Sequence, residues 1–186
     1  MLTITSTLRC AAIVAASLAA AGEPRRGLRE GDNVPVTTMR WVTDKTGKVI
    51  DKNTCLAGTY STRRAISVYA RTAKEPQLVE LLKQVEAVLA EKPELRGYVL
   101  FVEGDQRDEV LKRSLRDWAK EQAFANLDVA LAVSDPEKEF GFTKETRVLV
   151  VYSDSRQVKY TRDFAAAKLD DAAVKDLGRK LTELTK

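Results

Sequence analysis

The sequence predicts an α/β domain in which a mixed sheet carries helices on its faces, and three observations lead there. Residues 64 to 71, Arg-Ala-Ile-Ser-Val-Tyr-Ala-Arg, are an apolar run of strand length, read as the central strand. Leu78, Val79, Leu81, Leu82, Val85, Val88 and Leu89 then recur at helical spacing. Further strand-like and helix-like stretches alternate to residue 133, and a hairpin and a last helix follow. Alternation of this kind implies parallel crossovers, and the terminal hairpin adds antiparallel strands.

The elements can be justified in chain order. Met1 to Arg9 carries one side-chain positive charge, Cys10 to Leu18 is apolar, and Ala19-Ala20-Ala21 offers small residues for cleavage. This predicts a secretory signal peptide over 1–21, and hence a secreted or periplasmic protein cleaved near Ala21. The apolar segment is too short to span a membrane, which takes about 20 residues. Residues 22–33, with Pro24, Arg25, Arg26, Gly27, Arg29 and Gly31, read as a flexible lead-in, and 34–186 as the folded domain. Val34 to Val42 reads as an edge strand with Pro35 near its start. Asp44-Lys-Thr-Gly47-Lys48 has turn chemistry, and Val49-Ile50 is expected to form a short return strand.

After the central strand, Thr72 and Glu75 have capping-box spacing and Pro76 suits the first helical turn. Gly97 to Val102 reads as a buried strand ended by Gly104-Asp105. A helix is expected over about 107–123, with Val110, Leu111, Ser114, Leu115 and Trp118 inward. Leu127 to Val133 is a third buried strand, and Ser134-Asp-Pro136 turns the chain. Arg147 to Tyr152 and Gln157 to Thr161 pair across Asp154-Ser155. The last helix, Asp170 to Leu184, places Val174, Leu177, Leu181 and Leu184 on one face, with two aspartates at its N-terminus.

Composition removes several functions. The net charge of +4 is spread over 31 basic and 27 acidic residues that alternate along the chain, a solvated surface rather than a nucleic-acid footprint. There is no histidine, so Ser-His and Cys-His activation are excluded and the commonest metal ligand is missing. No metal or cofactor is implied. Glu103 with Asp105 and Asp170 with Asp171 lie where turns and caps ordinarily place acids. Trp41, Tyr60, Tyr69 and Tyr98 alternate with apolar residues, as core aromatics do.

Three stretches together resemble the thioredoxin-like fold, and more narrowly its redoxin branch, which includes the peroxiredoxins. They are Gly31-Asp-Asn-Val34-Pro35, then Val42-Thr-Asp44-Lys-Thr-Gly47-Lys48-Val49, and the strand Ala65 to Ala70 feeding the long helix. The resemblance covers nearly all of the chain after residue 21. It implies a cysteine in the loop after the central strand, where a helix N-terminus and neighbouring cations lower the thiol pKa. The thioredoxin cysteine positions fall on Ala73 and Pro76, and Thr72 to Gln77 contains no sulfur at all. The cis-proline that thioredoxins place before the next core strand has no counterpart in Phe142-Thr-Lys-Glu-Thr-Arg147.

Cleavage near Ala21 would remove Cys10 and leave Cys55 alone, with no internal disulfide. Cys55-Leu-Ala-Gly58 is similar in placement to a Cys-x-x-Cys that some exported bacterial thioredoxin-like proteins carry before this strand, with glycine at the second sulfur. Two readings stay open: Cys55 packs as a small hydrophobe beside Leu56, or Arg63 and Arg64 support its thiolate. The leading expectation is an exported redoxin-like module, degenerate for dithiol chemistry, that binds or assists an unidentified protein partner. The alternative is a monothiol redox protein that uses Cys55 on a small thiol or partner, as a monomer or a Cys55-linked homodimer. A peroxidase would need a thiol in the loop at the helix start.

Overall fold

The computed structural model describes residues 27–55, 58–59, 63–133, 136–166 and 168–186. The expected signal segment, Tyr60 and the turn at 134–135 lie outside them. Seven strands are formed: β1 (Thr38–Thr43), β2 (Asn53–Cys55), β3 (Arg64–Ala70), β4 (Arg96–Phe101), β5 (Leu127–Ala132), β6 (Thr146–Asp154) and β7 (Gln157–Ala165). The helices are α1 (Leu78–Glu91), α2 (Glu109–Gln122), α3 (Pro136–Phe140) and α4 (Asp171–Leu184). The strands form one mixed sheet in the order β2-β1-β5-β4-β3-β6-β7. β3 runs parallel to β4, and β4 parallel to β5, through the crossovers α1 and α2; β6 and β7 are antiparallel.

The run read as the central strand is β3, paired on both sides, while β4 holds the geometric middle. Its alternate side chains enter two separate cores. Ile66, Val68 and Ala70 face one with Val99, Phe101, Leu127, Val129, Val148 and Val150, whereas Ala65 and Tyr69 face the other with Tyr98, Leu100, Leu149 and Val151. Burial on both faces is why these strands read as continuous apolar runs rather than alternating ones. The first core is covered by α1, α2 and α4. Leu78, Leu81, Leu82, Val85, Val88 and Leu89 of α1 are buried there, each leucine contributing about 2 kcal/mol by area removed from water. α1 approaches β4 closely, since a Cβ built on Gly97 would lie 2.2 Å from Leu89 Cδ1.

The structure departs from the sequence reading at four places. β1 is not an edge, because β2 adds outside it: Thr38 opposes Cys55, and Arg40 opposes Asn53. The return strand expected at Val49-Ile50 is a single bridge from Val49 to Thr43, and pairing proper begins only at Asn53, a stretch too short and polar to read as a strand. The stretch read as a lead-in is hydrogen-bonded from Arg29 onward, where its amide donates to Asp32 Oδ2 at 2.8 Å. The Gly31 and Val34 amides donate to the Val158 and Arg156 carbonyls at 2.9 and 2.7 Å, satisfying groups that the outer edge of β7 would otherwise expose. The inner face of α2 is rotated, with Lys112, Leu115 and Ala119 buried while Val110 is 76% exposed.

The hairpin forms as expected. Ser155 and Arg156 take φ values of 50° and 70°, the left-handed pair that a two-residue loop needs to match the twist of its strands. Asp170 caps α4 by accepting from the Ala173 amide.

Candidate functional site

In an open α/β sheet, ligands and reacting groups gather outside the carboxyl ends of the parallel strands. Here that end is formed by residues 71–77 after β3, residues 102–104 after β4, and 143–146 before β6. The 71–77 stretch does not build the expected helix start. The Lys74 amide donates to Thr72 Oγ1 at 3.2 Å, making a local turn, and α1 begins only at Leu78. Its N-cap is Gln77, in the left-handed region at φ 62° with no side-chain cap. Thr72 and Glu75 therefore do not form the expected capping box, and Pro76 stands before the helix rather than in its first turn. Ala73 precedes the first helical residue by five positions. A thiol there would lie outside the first turn, where the helix dipole stabilises an anion.

Arg71 occupies this end of the sheet, 8% exposed. Its Nε donates to the Thr146 carbonyl at 2.7 Å, Nη2 donates to the Thr143 carbonyl, and Nη1 pairs with Glu103 Oε1 at 2.8 Å. The guanidinium carbon lies 5.1 Å from the centre of the Phe142 ring. All three nitrogens are engaged and the charge is met by Glu103. Glu103, which sequence reasoning set aside as a turn acid, is half of this pair. Beside it Arg147 approaches Glu75 at 3.8 Å. The 143–146 loop, where the resemblance expects a proline, is held instead by its carbonyls on Arg71. The signal for this in the sequence is an arginine closing an apolar strand, which buries its stem and must find partners for its head.

Cys55 lies on the edge strand β2 and is exposed, so the reading of it as a packed hydrophobe does not hold. Its carbonyl accepts from Thr59 Oγ1 at 3.1 Å. A Cβ built on Gly58 would lie 3.8 Å from Cys55 Cβ, the mean separation in disulfides. The structure does not bring Arg63 or Arg64 to this thiol. β3 stands four strand spacings from β2, roughly 19 Å across the sheet. Arg64 Nε donates to the Tyr152 hydroxyl at 2.8 Å, and its Nη1 lies 3.7 Å from Glu94. The Arg63 carbonyl accepts from Ser155 at the hairpin turn.

Two cations on the β2 side of the sheet, Arg40 and Lys112, are committed to carboxylates. Arg40 donates to Asp51 at 2.8 Å and to Asn53 Oδ1 at 3.2 Å. Lys112 Nζ, buried on α2, lies 3.1 Å from Asp51 and is also paired with Glu109. The Arg40 and then the Lys112 hydrogen bond hold the Asp51 carboxyl at about 2. The ion pair with Glu109, followed by Asp51, raises Lys112 against the opposing effect of burial. Satisfied on both sides, the ammonium can turn inward, which explains the rotation of α2.

No protein-family model matches the chain, and no curated protein matches it in sequence. Solved structures do match. A thiol peroxidase from Chromobacterium violaceum is 18% identical with a TM-score of 0.61, over 85% of this chain and 88% of that one. A peroxiredoxin-like protein from Aquifex aeolicus is 13% identical with a TM-score of 0.59, over 85% and 90%. A secreted Mycobacterium tuberculosis disulfide oxidoreductase, described as homologous to E. coli DsbE, is 10% identical with a TM-score of 0.55, over 78% and 94%. The fold is thioredoxin-like, of the redoxin kind.

In this thioredoxin-like sheet the two places where a sulfur was sought are far apart in character. The loop after β3 holds an arginine with every nitrogen bonded and no thiol. The β2 end holds an exposed thiol with no cation assigned to it. Among the described residues no cluster of three metal-ligating side chains forms, and no helix is long and apolar enough to cross a membrane.

Proposed function

We propose that this chain is an exported redoxin-fold protein that is degenerate for dithiol chemistry and acts as a binding or accessory module for a protein partner. The observation that carries the reading is Arg71, whose guanidinium ties the ends of β3 and β4 to the loop before β6. Thiol exchange at this position needs an accessible sulfur with a stabilised thiolate. The end of the sheet instead carries Ala73 and Pro76 ahead of the helix and a neutralised ion pair. The test is turnover: the purified protein is expected neither to speed insulin disulfide reduction nor to consume peroxide above the uncatalysed rate. Turnover abolished by Cys55→Ser would overturn the proposal.

A second reading is favoured by the exposure of Cys55 on an edge strand. Here Cys55 forms a mixed disulfide with a small thiol or a partner, or links two copies of the chain. Incubation with oxidised glutathione, followed by intact mass, would reveal an adduct on the native protein. An inert thiol and a reductant-insensitive oligomeric state would leave only the first reading. Export with cleavage near Ala21 is part of the same proposal, checked by N-terminal sequencing of the protein recovered outside the cytoplasm.

A further inference from the structure

We propose that a cleft between the β1–β2 turn and the C-terminal half of α2 is a binding site for a small amphiphilic monoanion, a carboxylate carrying an alkyl or aryl body. The cleft has a volume of about 630 Å³, within the range of small-molecule sites. It lies at the start of β5, opposite the end of the sheet held by Arg71, and is independent of the reading given above. Its floor is apolar, with Leu127 and Val129 of β5 beside Phe124. Val49 also lines it and is 49% exposed, although it is a large apolar side chain.

The walls carry the charge. Lys45 stands on the turn and Lys120 on α2, and neither makes an ion pair among the described residues. Arg116, one helical turn before Lys120, donates to the Lys112 carbonyl at 3.2 Å and pairs with Glu109 at 3.8 Å. Of the two acids, Asp44 directs Oδ1 into its own turn, accepting from the Thr46 and Lys48 amides and the Thr46 hydroxyl. Asp117 is the other. With Arg116 already paired, Asp44 turned away and Asp128 held on the Lys45 amide at 2.7 Å, the uncommitted cations Lys45 and Lys120 outnumber Asp117 and leave a positive rim above an apolar floor. A headgroup of one negative charge with an apolar body satisfies both parts; a cation or a fully polar anion satisfies only one.

Calorimetric titration of the purified protein with decanoate, alongside amide chemical-shift mapping, tests the site. Saturable decanoate binding with shifts at 44–49, 116–125 and 127–129 is expected. Affinity should rise roughly fourfold at most for each CH₂ added from hexanoate upward. Lys45→Ala and Lys120→Ala, both surface changes, should each weaken binding by up to about fivefold, and Asp117→Asn should strengthen it by a similar factor. Decyltrimethylammonium binding as tightly, indifference to these three substitutions, shifts elsewhere, or no binding in the millimolar range would each overturn the proposal.

Discussion

Residues 71–76 and residues 55–58 are the two places where a thioredoxin-like chain of this kind is expected to hold sulfur, and they depart from that expectation in opposite ways. At 71–76 both the geometry and the residues differ from what the resemblance implies. The helix starts late, at Leu78, and Arg71 fills the end of the sheet with structural bonds. At Cys55 and Gly58 the separation fits a disulfide, since a Cβ on Gly58 would lie 3.8 Å from Cys55 Cβ, and position 58 carries no sulfur. A place that differs from expectation in backbone and one that differs in a single side chain should answer mutation differently.

The largest effect is expected at Arg71. Arg71→Ala leaves the Thr143 and Thr146 carbonyls without their donor and Glu103 without its cation. Each orphaned carbonyl costs about 1–3 kcal/mol if water cannot reach it, so a loss of about 3 kcal/mol is expected in urea unfolding. Arg71→Lys should recover less than half, because one ammonium cannot serve three acceptors in a planar fork. A loss below about 1 kcal/mol in the alanine variant would mean that the loop is held by its own turns.

Gly58→Cys is the next largest and has the opposite sign. The added thiol should close a disulfide with Cys55 in air, read as a loss of two hydrogens in the intact mass and reversed by reductant. A loop this short would stabilise the fold by about 2 kcal/mol in the chain-entropy account. Two free thiols persisting under oxidation would show that the backbone at 58 does not hold the separation that the structure gives it.

The sheet was legible in the sequence wherever burial on both faces made strands continuous, as in Ile66 to Ala70 and Tyr98 to Phe101. α1 was legible from Leu78 to Leu89 because one face is apolar at helical spacing. What could not be read depended on contacts distant in sequence. β2 is Asn-Thr-Cys, a strand only because β1 offers it an edge. Lys112 looks like a surface residue until Asp51, far away in the chain, supplies its counter-charge. Arg71 reads as the end of a strand, and its partners lie beyond residue 100. The resemblance pointed to the loop after β3, and the Arg71 contacts that fill that end of the sheet could not be read from it.

The Asp51 cluster beside β2 offers a smaller, pH-dependent effect. Its carboxyl sits at about 2 when folded against an ordinary value of 3.8, so ionisation favours the folded state. The stabilisation is present above about pH 4 and is lost as the pH falls through the folded value near 2, well below which Asp51 is protonated in both states. Asp51→Asn should therefore be less stable than the parent at pH 7, with a gap that stays constant to about pH 4 and closes below it. A gap independent of pH would assign the loss to packing and hydrogen bonding alone.

Cys55→Ser should have the smallest effect on stability, within about 0.5 kcal/mol, since the side chain is exposed and no buried contact is exchanged. Its value lies in separating packing from chemistry. A neutral substitution accompanied by alkylation of native Cys55 as fast as in the unfolded chain would mean that the fold presents this thiol without relying on it. The thiol would then be free to change in evolution unless a partner or small thiol uses it. A loss above about 1 kcal/mol would instead give the sulfur a packing role, and Cys55 would join Arg71 as structure in place of chemistry.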